Sequence, residues 1–144
     1  KYRPKSFVLL RLLSASGAKL TSKLGFDFTG FTVVPIPISK SREKDRGFNQ
    51  AEIIAKAVGK EFGLSLNTSC LTRIRDTNKQ FGLHKGERAQ NITGAFAVKG
   101  DVAGGKFLLI DDICTTGSTL ISASSALFSA RATDVRCFAL SRKL

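Results

Sequence analysis

The most informative segment of the chain is 107–120, which reads Phe-Leu-Leu-Ile-Asp-Asp-Ile-Cys-Thr-Thr-Gly-Ser-Thr-Leu. The apolar run up to Ile110 predicts a buried strand of a parallel sheet. Two adjacent carboxylates, Asp111 and Asp112, follow it, and a short turn then opens a predicted helix over about 118–130. In a parallel α/β sheet, ligands bind in the crevice at the carboxyl ends of the strands. The segment therefore predicts a binding site.

The turn carries groups suited to a phosphate ester. Its hydroxyls and backbone amides belong to Thr115, Thr116, Gly117, Ser118 and Thr119. Glycine lets the backbone come close to a ligand, and the amino terminus of a helix favours an anion. The two aspartates repel that anion, so we expect them to face a ribose diol or a hydrated Mg²⁺. A turn that binds a phosphate, next to carboxylates that bind a diol, predicts a site for a ribose 5-phosphate.

The common nucleotide-binding loops do not match this segment. A P-loop needs Gly-x-x-x-x-Gly-Lys-[Ser/Thr], and a dinucleotide turn needs Gly-x-Gly-x-x-Gly after the first strand; neither pattern is present. A structural alternative is a capped helix after a buried strand, in which Asp and Thr satisfy backbone donors. Two carboxylates and four hydroxyls within nine residues exceed what one helix cap requires.

Predicted strands and helices alternate along the rest of the chain. The patterns predict a helix over 7–24, a strand over 31–38 and a charged loop over 39–47. A second helix is predicted to be capped by Asn49, with Glu52 as its capping-box partner, and to end at Gly63. Strands over 70–75, 95–98 and 106–110, the helix over about 118–130 and a strand over 135–140 follow. Residues 76–91 lack apolar periodicity and are predicted to form a long mobile loop, and loops of this length are usually functional or disordered. The alternation predicts one α/β domain, 1–144, built on a mostly parallel sheet.

Charge and cysteine content narrow the class of protein. The 144 residues carry a net charge of +12, which favours polyanions: nucleic acid, nucleotides, diphosphates or an anionic membrane surface. General solubility is the simpler reason for that charge. Three widely spaced cysteines argue against a disulfide framework or a zinc site in this chain, and reduced thiols predict a cytoplasmic location. No apolar run is long enough to predict a membrane span, and no signal peptide is visible.

The segment 108–119 resembles the phosphoribosyl diphosphate (PRPP) motif of type I phosphoribosyltransferases. The wider chain, over 1–142, is similar to the ComF family in its Val-Pro-Ile-Pro at 34–37, its Arg-Gly-Phe-Asn-Gln at 46–50, and in Thr77, Gln80, Leu83, Arg88, Asn91 and Phe96. This resemblance implies a three-layer α/β/α fold with a flexible hood loop. It also implies an N-terminal zinc ribbon in the intact family member. The ribbon is absent from this chain, which opens on Lys1 and is therefore expected to be a fragment.

The resemblance also implies roles for residues around the PRPP motif. Asp111 and Asp112 are expected to contact the ribose 2- and 3-hydroxyls, directly or as ligands of Mg²⁺, and 115–119 to hold the 5-phosphate. The loop after the first strand, 35–39, resembles a diphosphate loop, to which Pro37, Ile38 and Ser39 belong. Arg42 and Arg46 follow it, where guanidinium groups would reach diphosphate oxygens.

The loop over 77–91 resembles the hood that closes over the substrate of such enzymes. Its Lys79, Lys85 and Arg88 would bring positive charge to the leaving group, so Arg88 is a predicted catalytic residue together with the two aspartates. Alternatives remain open: Arg88 could anchor the loop to the sheet, and Arg42 and Arg46 could belong to a solvated loop of paired charges. His84, the one histidine, is predicted to be a surface residue.

Three functions agree with these observations. The first is a PRPP-dependent transferase of nucleotide salvage or amine transfer, whose acceptor the sequence does not specify. The second, implied by the resemblance to ComF, is a PRPP- or nucleotide-binding module that works with the competence machinery and handles single-stranded DNA. The third is a regulator that senses PRPP. The sequence does not predict the oligomeric state.

Overall fold

The structure is a computed structural model that describes residues 4–75 and 94–142. Its helices are α1 (Pro4–Lys23), α2 (Lys40–Arg46), α3 (Gln50–Phe62) and α4 (Ser118–Ser129). Its strands are β1 (Phe31–Pro35), β2 (Ser65–Leu66), β3 (Leu71–Arg73), β4 (Phe96–Val98), β5 (Lys106–Cys114) and β6 (Asp134–Arg142). The predicted hood, with Lys79, His84, Lys85 and Arg88, lies outside the described residues.

A parallel sheet of four strands organises the fold. Its order is β2-β1-β5-β6, and all three pairings are parallel. Strands β3 and β4 form a separate antiparallel pair, in which Leu71 lies opposite Val98. The predicted mostly parallel α/β sheet is therefore confirmed, and the apolar run before Asp111 belongs to β5, one of its two inner strands.

Two apolar cores cover the two faces of this sheet. Successive residues of a strand point to opposite faces, so Leu108 belongs to one core and Leu109 to the other. Helices α1 and α3 pack on the Leu108 side, whereas α4 and the β3–β4 pair pack on the Leu109 side. Both leucines are fully buried, and replacing either by alanine should cost about 2–5 kcal/mol of folding free energy. The rigid sheet fixes where β5 ends.

Helix α3 begins and ends where the sequence predicts. The Asn49 Oδ1 atom accepts a hydrogen bond from the Ala51 backbone amide at 3.0 Å, and Gly63 adopts the left-handed conformation with φ 66°. The capping box was predicted with Glu52, but the side-chain bond goes to the amide of Ala51, one residue earlier. Asn49 still caps the helix, because the amides of Ala51 and Glu52 both belong to the first helical turn and lack a partner within the helix.

The prediction of a charged loop over 39–47 is wrong, because helix α2 occupies most of this segment. The Ser39 side chain accepts a hydrogen bond from the Arg42 amide at 3.4 Å, and Gly47 ends the helix with φ 76°. Local caps therefore define a short surface helix where the sequence has no apolar period, and residues 41–46 are all exposed.

Strand lengths also differ from the prediction. Strand β1 ends at Pro35 instead of residue 38, because it leaves its partner there while β5 continues beside β6 alone beyond Ile110. Strand β5 runs to Cys114, so the two aspartates belong to its last part instead of following it. The short exposed strand β2 had no apolar signal and was not predicted. Among the described residues, no helix is long and apolar enough to cross a membrane.

Candidate functional site

The candidate site lies where β1 and β5 separate. Pro35 and Ile110 are the last register pair of these strands, and the Ile36 amide then donates to the Ile110 carbonyl at 2.8 Å. Beyond this point β5 continues beside β6, with Asp111 opposite Ala139. The end of β1 has turned away, so Asp111 stands at an opening in the carboxyl edge of the sheet.

The turn after β5 presents backbone amides at the opening. Gly117 has φ 76°, a conformation that favours glycine, and its carbonyl accepts the first hydrogen bond of α4 from the Ile121 amide at 2.9 Å. The amides of Ser118, Thr119 and Leu120 precede that bond and therefore have no partner within the helix; the Ser118 amide donates instead to Thr116 Oγ1 at 3.4 Å. This arrangement suits an anion.

A small depression lies over the turn. Its volume is about 20 Å³, enough for one water-sized group such as a phosphate oxygen. The lining residues come from the end of β5, the turn and the first turn of α4: Asp111, Ile113, Cys114, Thr115, Gly117, Ser118, Thr119 and Leu120. The structure therefore brings the predicted phosphate residues together with one of the two predicted aspartates.

The hydroxyl groups of the turn do not form the ordinary cap of α4. Gly117 occupies the N-cap position, and no side chain makes the capping hydrogen bond. Thr116 Oγ1 instead lies 2.8 Å from Ser118 Oγ and 3.4 Å from the Ser118 amide. Thr115 and Thr116 are exposed. Thr116 therefore satisfies one backbone donor at the start of α4, as the helix-cap alternative expects, although it is not the N-cap residue.

The two aspartates are each held by a local hydrogen bond. Asp111 Oδ1 accepts from the Asp112 amide at 2.9 Å, and Asp112 Oδ1 accepts from the Ile113 amide at 2.8 Å. Both residues are half-buried. Each bond uses one oxygen and fixes the direction of the carboxylate.

The environment raises the pKa of Asp111 from 3.8 to about 7. Burial is the main cause, because it disfavours the charged carboxylate. The negative charge of Asp112 and a hydrogen bond with its side chain raise the pKa further. The backbone hydrogen bond from Asp112 and the positive charge of Arg73 lower it, without offsetting the burial. A raised carboxyl pKa in an open crevice is typical of a binding or catalytic group.

The loop after β1 is fixed beside the aspartates. The buried Asn49 side chain donates from Nδ2 to the Ile36 carbonyl at 3.0 Å, and the buried Ser39 hydroxyl caps α2. Pro37 and Ile38 lie half-buried between these two anchors. The predicted diphosphate loop is therefore ordered, and it starts at the β1–β5 separation.

Arg42 and Arg46 lie one turn apart on α2, and both are exposed. Arg46 Nη1 donates to Gln50 Oε1 at 2.7 Å, which holds that guanidinium at the junction with α3. Arg42 belongs to the first turn, directly after the Ser39 cap. The two arginines therefore share one face of a short helix that leaves the loop.

Sequence reasoning missed Arg73. Its guanidinium lies 5.6 Å from the centroid of the Phe96 ring, and its Nε donates to the Arg75 carbonyl at 3.2 Å. Its charge also acts on Asp111, whose pKa it lowers. The available signal was the alternation of Arg73 and Arg75 on a predicted strand that leads into the long loop.

Known proteins match this chain over most of its length. A family model described as phosphoribosyl transferase domain matches 44–144. The chain is 38% identical over 114 residues to competence protein ComFC of Bacillus subtilis, covering 78% of this chain and 45% of that protein. It is 30% identical over 112 residues to DNA utilization protein YhgH of Salmonella typhi, covering 78% of this chain and 49% of that protein. Competence protein F of Haemophilus influenzae is 27% identical over 141 residues, covering 96% and 60%.

These matches mean that the chain spans about half the length of the curated relatives. Solved structures agree on the fold. A hypoxanthine-guanine phosphoribosyltransferase from Bacillus anthracis superposes with a TM-score of 0.58 at 13% identity, over 96% of this chain and 71% of that one. An allosteric regulatory enzyme of purine biosynthesis superposes with a TM-score of 0.59 at 18% identity, over 91% of this chain and 26% of that one. The α/β fold is therefore that of the type I phosphoribosyltransferases.

Proposed function

The chain belongs to the ComF branch of the phosphoribosyl transferase domain family, and from that premise we propose that it binds PRPP, or a nucleotide with the same ribose 5-phosphate, together with Mg²⁺. One observation carries the proposal: β5 places Asp111 directly before the Gly117 turn, and both line one depression at the carboxyl edge of the sheet. An anion-binding helix terminus and a carboxylate that line the same depression suit the two ends of one phosphorylated pentose.

The 5-phosphate would lie against the amides and hydroxyls of the turn. The positive φ at position 117 favours glycine, whose missing side chain leaves room for the phosphate, and the helix terminus supplies favourable potential. Thr115, Thr116, Ser118 and Thr119 would donate hydroxyl hydrogen bonds to its oxygens. This contact is common to PRPP, ribose 5-phosphate and nucleoside monophosphates, so it does not select among them.

The aspartates would hold the ribose diol, with Mg²⁺ beside them. Carboxylate oxygens are ligands that Mg²⁺ prefers, and the ion keeps several waters or substrate oxygens when the protein supplies few ligands. The described residues contain no cluster of three or more potential metal ligands, so Asp111 and Asp112 alone suit a shared site of this kind. When bound, Mg²⁺ would neutralise diphosphate charge. Asp111 must lose its proton to take part.

The diphosphate would reach the loop at 35–39. That loop starts at the β1–β5 separation and is held by Asn49, so its backbone is prepared for a ligand. Arg42 and Arg46 are the cations that follow it, and Arg88 would approach from the hood. A diphosphate contact of this kind would favour an active transferase as a second candidate: the bond from C1 to the diphosphate oxygen would break, a bond to a nitrogen of the acceptor would form, and the acceptor would lose a proton to solvent.

A role in natural competence and in handling single-stranded DNA rests on charge and on the relatives. The net charge of +12 suits a nucleic-acid backbone, and the printed names of the relatives refer to competence and DNA utilization. Such a role places the protein in the cytoplasm with the competence machinery. Among the described residues, the exposed aromatic side chains are Phe26 and Phe128, which offer little area for base stacking, so we propose that DNA binding is mainly electrostatic.

Ligand binding is tested by thermal unfolding. PRPP with Mg²⁺ should raise the melting temperature, and a chelator should remove most of that gain. At ligand concentrations roughly 100 times Kd the gain should be about 5–10 °C for a domain of this size. No shift with PRPP, ribose 5-phosphate or nucleoside monophosphates would refute the proposal.

Two further measurements separate the candidate functions. Incubation with PRPP and a panel of bases and amines, followed by an assay for released diphosphate, detects a transferase. PRPP binding without diphosphate release would instead support the binding module. Affinity for a single-stranded oligonucleotide should fall steeply with salt, by roughly 0.7 log units per phosphate contact for each tenfold increase in salt concentration. Salt-insensitive DNA binding would contradict the electrostatic mode.

A further inference from the structure

The outer side of α4 is uncharged and partly apolar. The stretch 113–130 is the longest in the chain without Asp, Glu, Lys or Arg, although 24% of all residues are charged. It includes the whole of α4, whose Ile121 and Phe128 are 66% and 49% exposed. Exposed large apolar side chains on a surface depleted of charge are typical of the centre of a protein interface. This candidate contact surface is here called the α4 face and is defined by Ile121, Ser125 and Phe128.

A groove of about 580 Å³ runs beside the α4 face, between α4 and β4. Its walls include Phe96 and Val98 on β4, and Ile121 and Ser125 on α4. None of its lining residues is charged. The outer side of α4 therefore has both a protruding apolar side chain, Phe128, and a depression beside it that is able to receive one.

The charge of the protein favours a second copy as the partner of this face. Two chains of +12 repel each other wherever their cations meet, and α4 is the only described helix that has no charged residue. An acidic protein or a nucleic acid would gain little from an uncharged face. In a two-fold symmetric contact the same patch serves both copies, so it needs both a protrusion and a depression. The α4 face and its groove meet this condition.

Symmetry fixes how two α4 helices meet. Ile121 and Phe128 are seven residues apart, so they lie on one side of the helix, with the exposed Ser125 between them. In an antiparallel pair whose two-fold axis passes midway, each Ile121 faces the partner's Phe128, and the small Ser125 lets the helices come close. The same register places the partner's Arg131 beside Ser118, because these two positions are equally far from the axis.

Arg131 has the features of a residue that serves a contact outside its own chain. It follows Ala130, the C-cap of α4, and it is the one described non-glycine residue with a positive φ, 68°. Glycine is the usual residue at such a helix end, because other residues are strained there. Arg131 is exposed, and among the described residues no acidic side chain forms an ion pair with it. Backbone strain at a residue without such a local contact is an indication of function.

The phosphate turn, in contrast, lacks a cation of its own. The depression over Gly117 is lined by no lysine or arginine, and Asp111 is one of its lining residues. Ser118 lines both this depression and the groove beside α4, so the two are continuous. A guanidinium group donates paired, charge-assisted hydrogen bonds to phosphate oxygens. The partner's Arg131, which the antiparallel contact brings to Ser118, would supply this charge.

We infer that the protein forms a two-fold symmetric dimer through the α4 face, and that the partner's Arg131 completes each phosphate site. The second half of this inference rests on the proposed ribose 5-phosphate site, whereas the first half does not. A contact limited to one helix pair and its groove lies at the low end of interface areas, so we expect a dissociation constant on the order of micromolar.

Sedimentation over a range of protein concentrations tests the dimer without any ligand. Phe128→Lys should weaken dimerisation by at least about tenfold, because a cation replaces an apolar side chain in the contact. Phe26→Lys is the matched control, since Phe26 is 57% exposed, lies outside α4 and gains the same charge. Its dimerisation should equal that of the original protein.

Cross-linking tests the position of the two-fold axis. Ser125→Cys should form a disulfide between two copies under mild oxidation, because each Ser125 lies next to its symmetry mate. Ser65→Cys, at an exposed position on β2, is the matched control and should stay uncross-linked. The original protein, treated in the same way, shows whether its own cysteines contribute.

Arg131→Gly tests the contact across the dimer. The dimer and the melting temperature should be kept, because glycine suits the positive φ. Affinity for ribose 5-phosphate, measured by calorimetry, should fall by on the order of tenfold, because a charge-assisted hydrogen bond is lost. Lys60→Gln removes an exposed cation of α3, across the sheet, and should leave the affinity unchanged.

Mixing two variants tests whether Arg131 acts on the partner's site. The Arg131→Gly protein has an intact turn, and the Gly117→Ala protein has an intact Arg131, so a mixed dimer contains one complete site. In an equimolar mixture about half of the dimers are mixed, so about a quarter of the sites should regain high affinity for ribose 5-phosphate.

Several outcomes would overturn the inference. A monomer at all concentrations, or equal dimerisation of the Phe128→Lys and Phe26→Lys proteins, would rule out the α4 dimer. Full affinity in Arg131→Gly, or a loss that mixing does not restore, would rule out the contact across the dimer. An original protein that dimerises but binds no ribose 5-phosphate would contradict the proposed function and the Arg131 contact together, and would leave the α4 dimer standing.

Discussion

Pro35 and Ile110 form the last parallel pair between β1 and β5, and the candidate site begins at the next residue, Asp111. This pair fixes the geometry, because one strand turns into the loop at 35–39 while the other continues into the aspartates and the Gly117 turn. Two segments far apart in sequence thereby reach one edge of the sheet. Substitutions in the aspartates, in the turn and after the loop can therefore test each part of the site separately.

The first prediction concerns the two aspartates. Asp111→Asn with Asp112→Asn should abolish the melting-temperature gain from PRPP and Mg²⁺, because amides are poor ligands for Mg²⁺ and change the contact with a diol. The side-chain oxygen of each asparagine still accepts the local backbone bond, so the fold should be kept. The measurement is thermal unfolding with and without ligand.

Asp101→Asn is the matched control for these changes. Asp101 is exposed and also accepts a local bond, from the Ala103 amide at 3.0 Å, but it is not in the site. Its ligand-induced gain should equal that of the original protein. If the double variant kept its full gain, the aspartates would not be the ribose or Mg²⁺ contacts.

The second prediction concerns Gly117. Gly117→Ala should lower PRPP affinity by at least about tenfold, because the added methyl occupies the floor of the depression, near Cys114 Sγ. The domain should still fold, since the nearest atoms to the new Cβ are 3.9 and 4.0 Å away. The positive φ should cost about 1 kcal/mol of stability. Calorimetry and urea unfolding measure the two effects.

A second glycine separates backbone strain from site blockage. Gly100 has φ 78° and no neighbour within 4 Å of its would-be Cβ, so Gly100→Ala carries a similar strain away from the site. Both variants should lose similar stability, but only Gly117→Ala should lose affinity. Equal affinity in the two variants would mean that the turn is not a phosphate cradle.

The third prediction concerns pH. The native state keeps the Asp111 proton up to about pH 7, whereas the unfolded chain loses it near 3.8. Between these values the native state binds more protons, so the contribution of Asp111 to stability is full below about pH 4 and is lost as pH rises to 7. Binding of PRPP with Mg²⁺ should strengthen over the upper part of this range, because the carboxylate form is needed.

Asp111→Asn isolates that contribution. Urea unfolding at several pH values from 4 to 8 should show a smaller fall of stability in the variant than in the original protein. Asp101→Asn should leave the profile unchanged. An unchanged profile in Asp111→Asn would show that the carboxyl group titrates near its ordinary value in the folded protein.

Much of this site follows from local sequence. The apolar run 107–110 predicts β5, and the glycine and hydroxyl pattern after the aspartates predicts the turn and α4, because each depends on adjacent residues. Helix α2 was missed since its seven residues are almost all charged and have no apolar period; its ends are set by Ser39 and Gly47. Arg73 was missed because its charge acts on Asp111 from the β3–β4 pair, which is far from β5 in sequence. Long-range neighbours of this kind are not visible in local patterns.

The last prediction separates diphosphate contacts from phosphate contacts. Arg42→Gln should weaken PRPP binding by on the order of tenfold but leave ribose 5-phosphate binding unchanged, because a charge-assisted hydrogen bond to the diphosphate is lost. Arg46→Gln should have a smaller effect, since Arg46 is already bonded to Gln50 at 2.7 Å. Lys44→Gln removes an exposed charge from another face of α2 and serves as the control. Calorimetry with both ligands measures the difference; equal losses for PRPP and ribose 5-phosphate in Arg42→Gln would place this arginine outside the diphosphate contact.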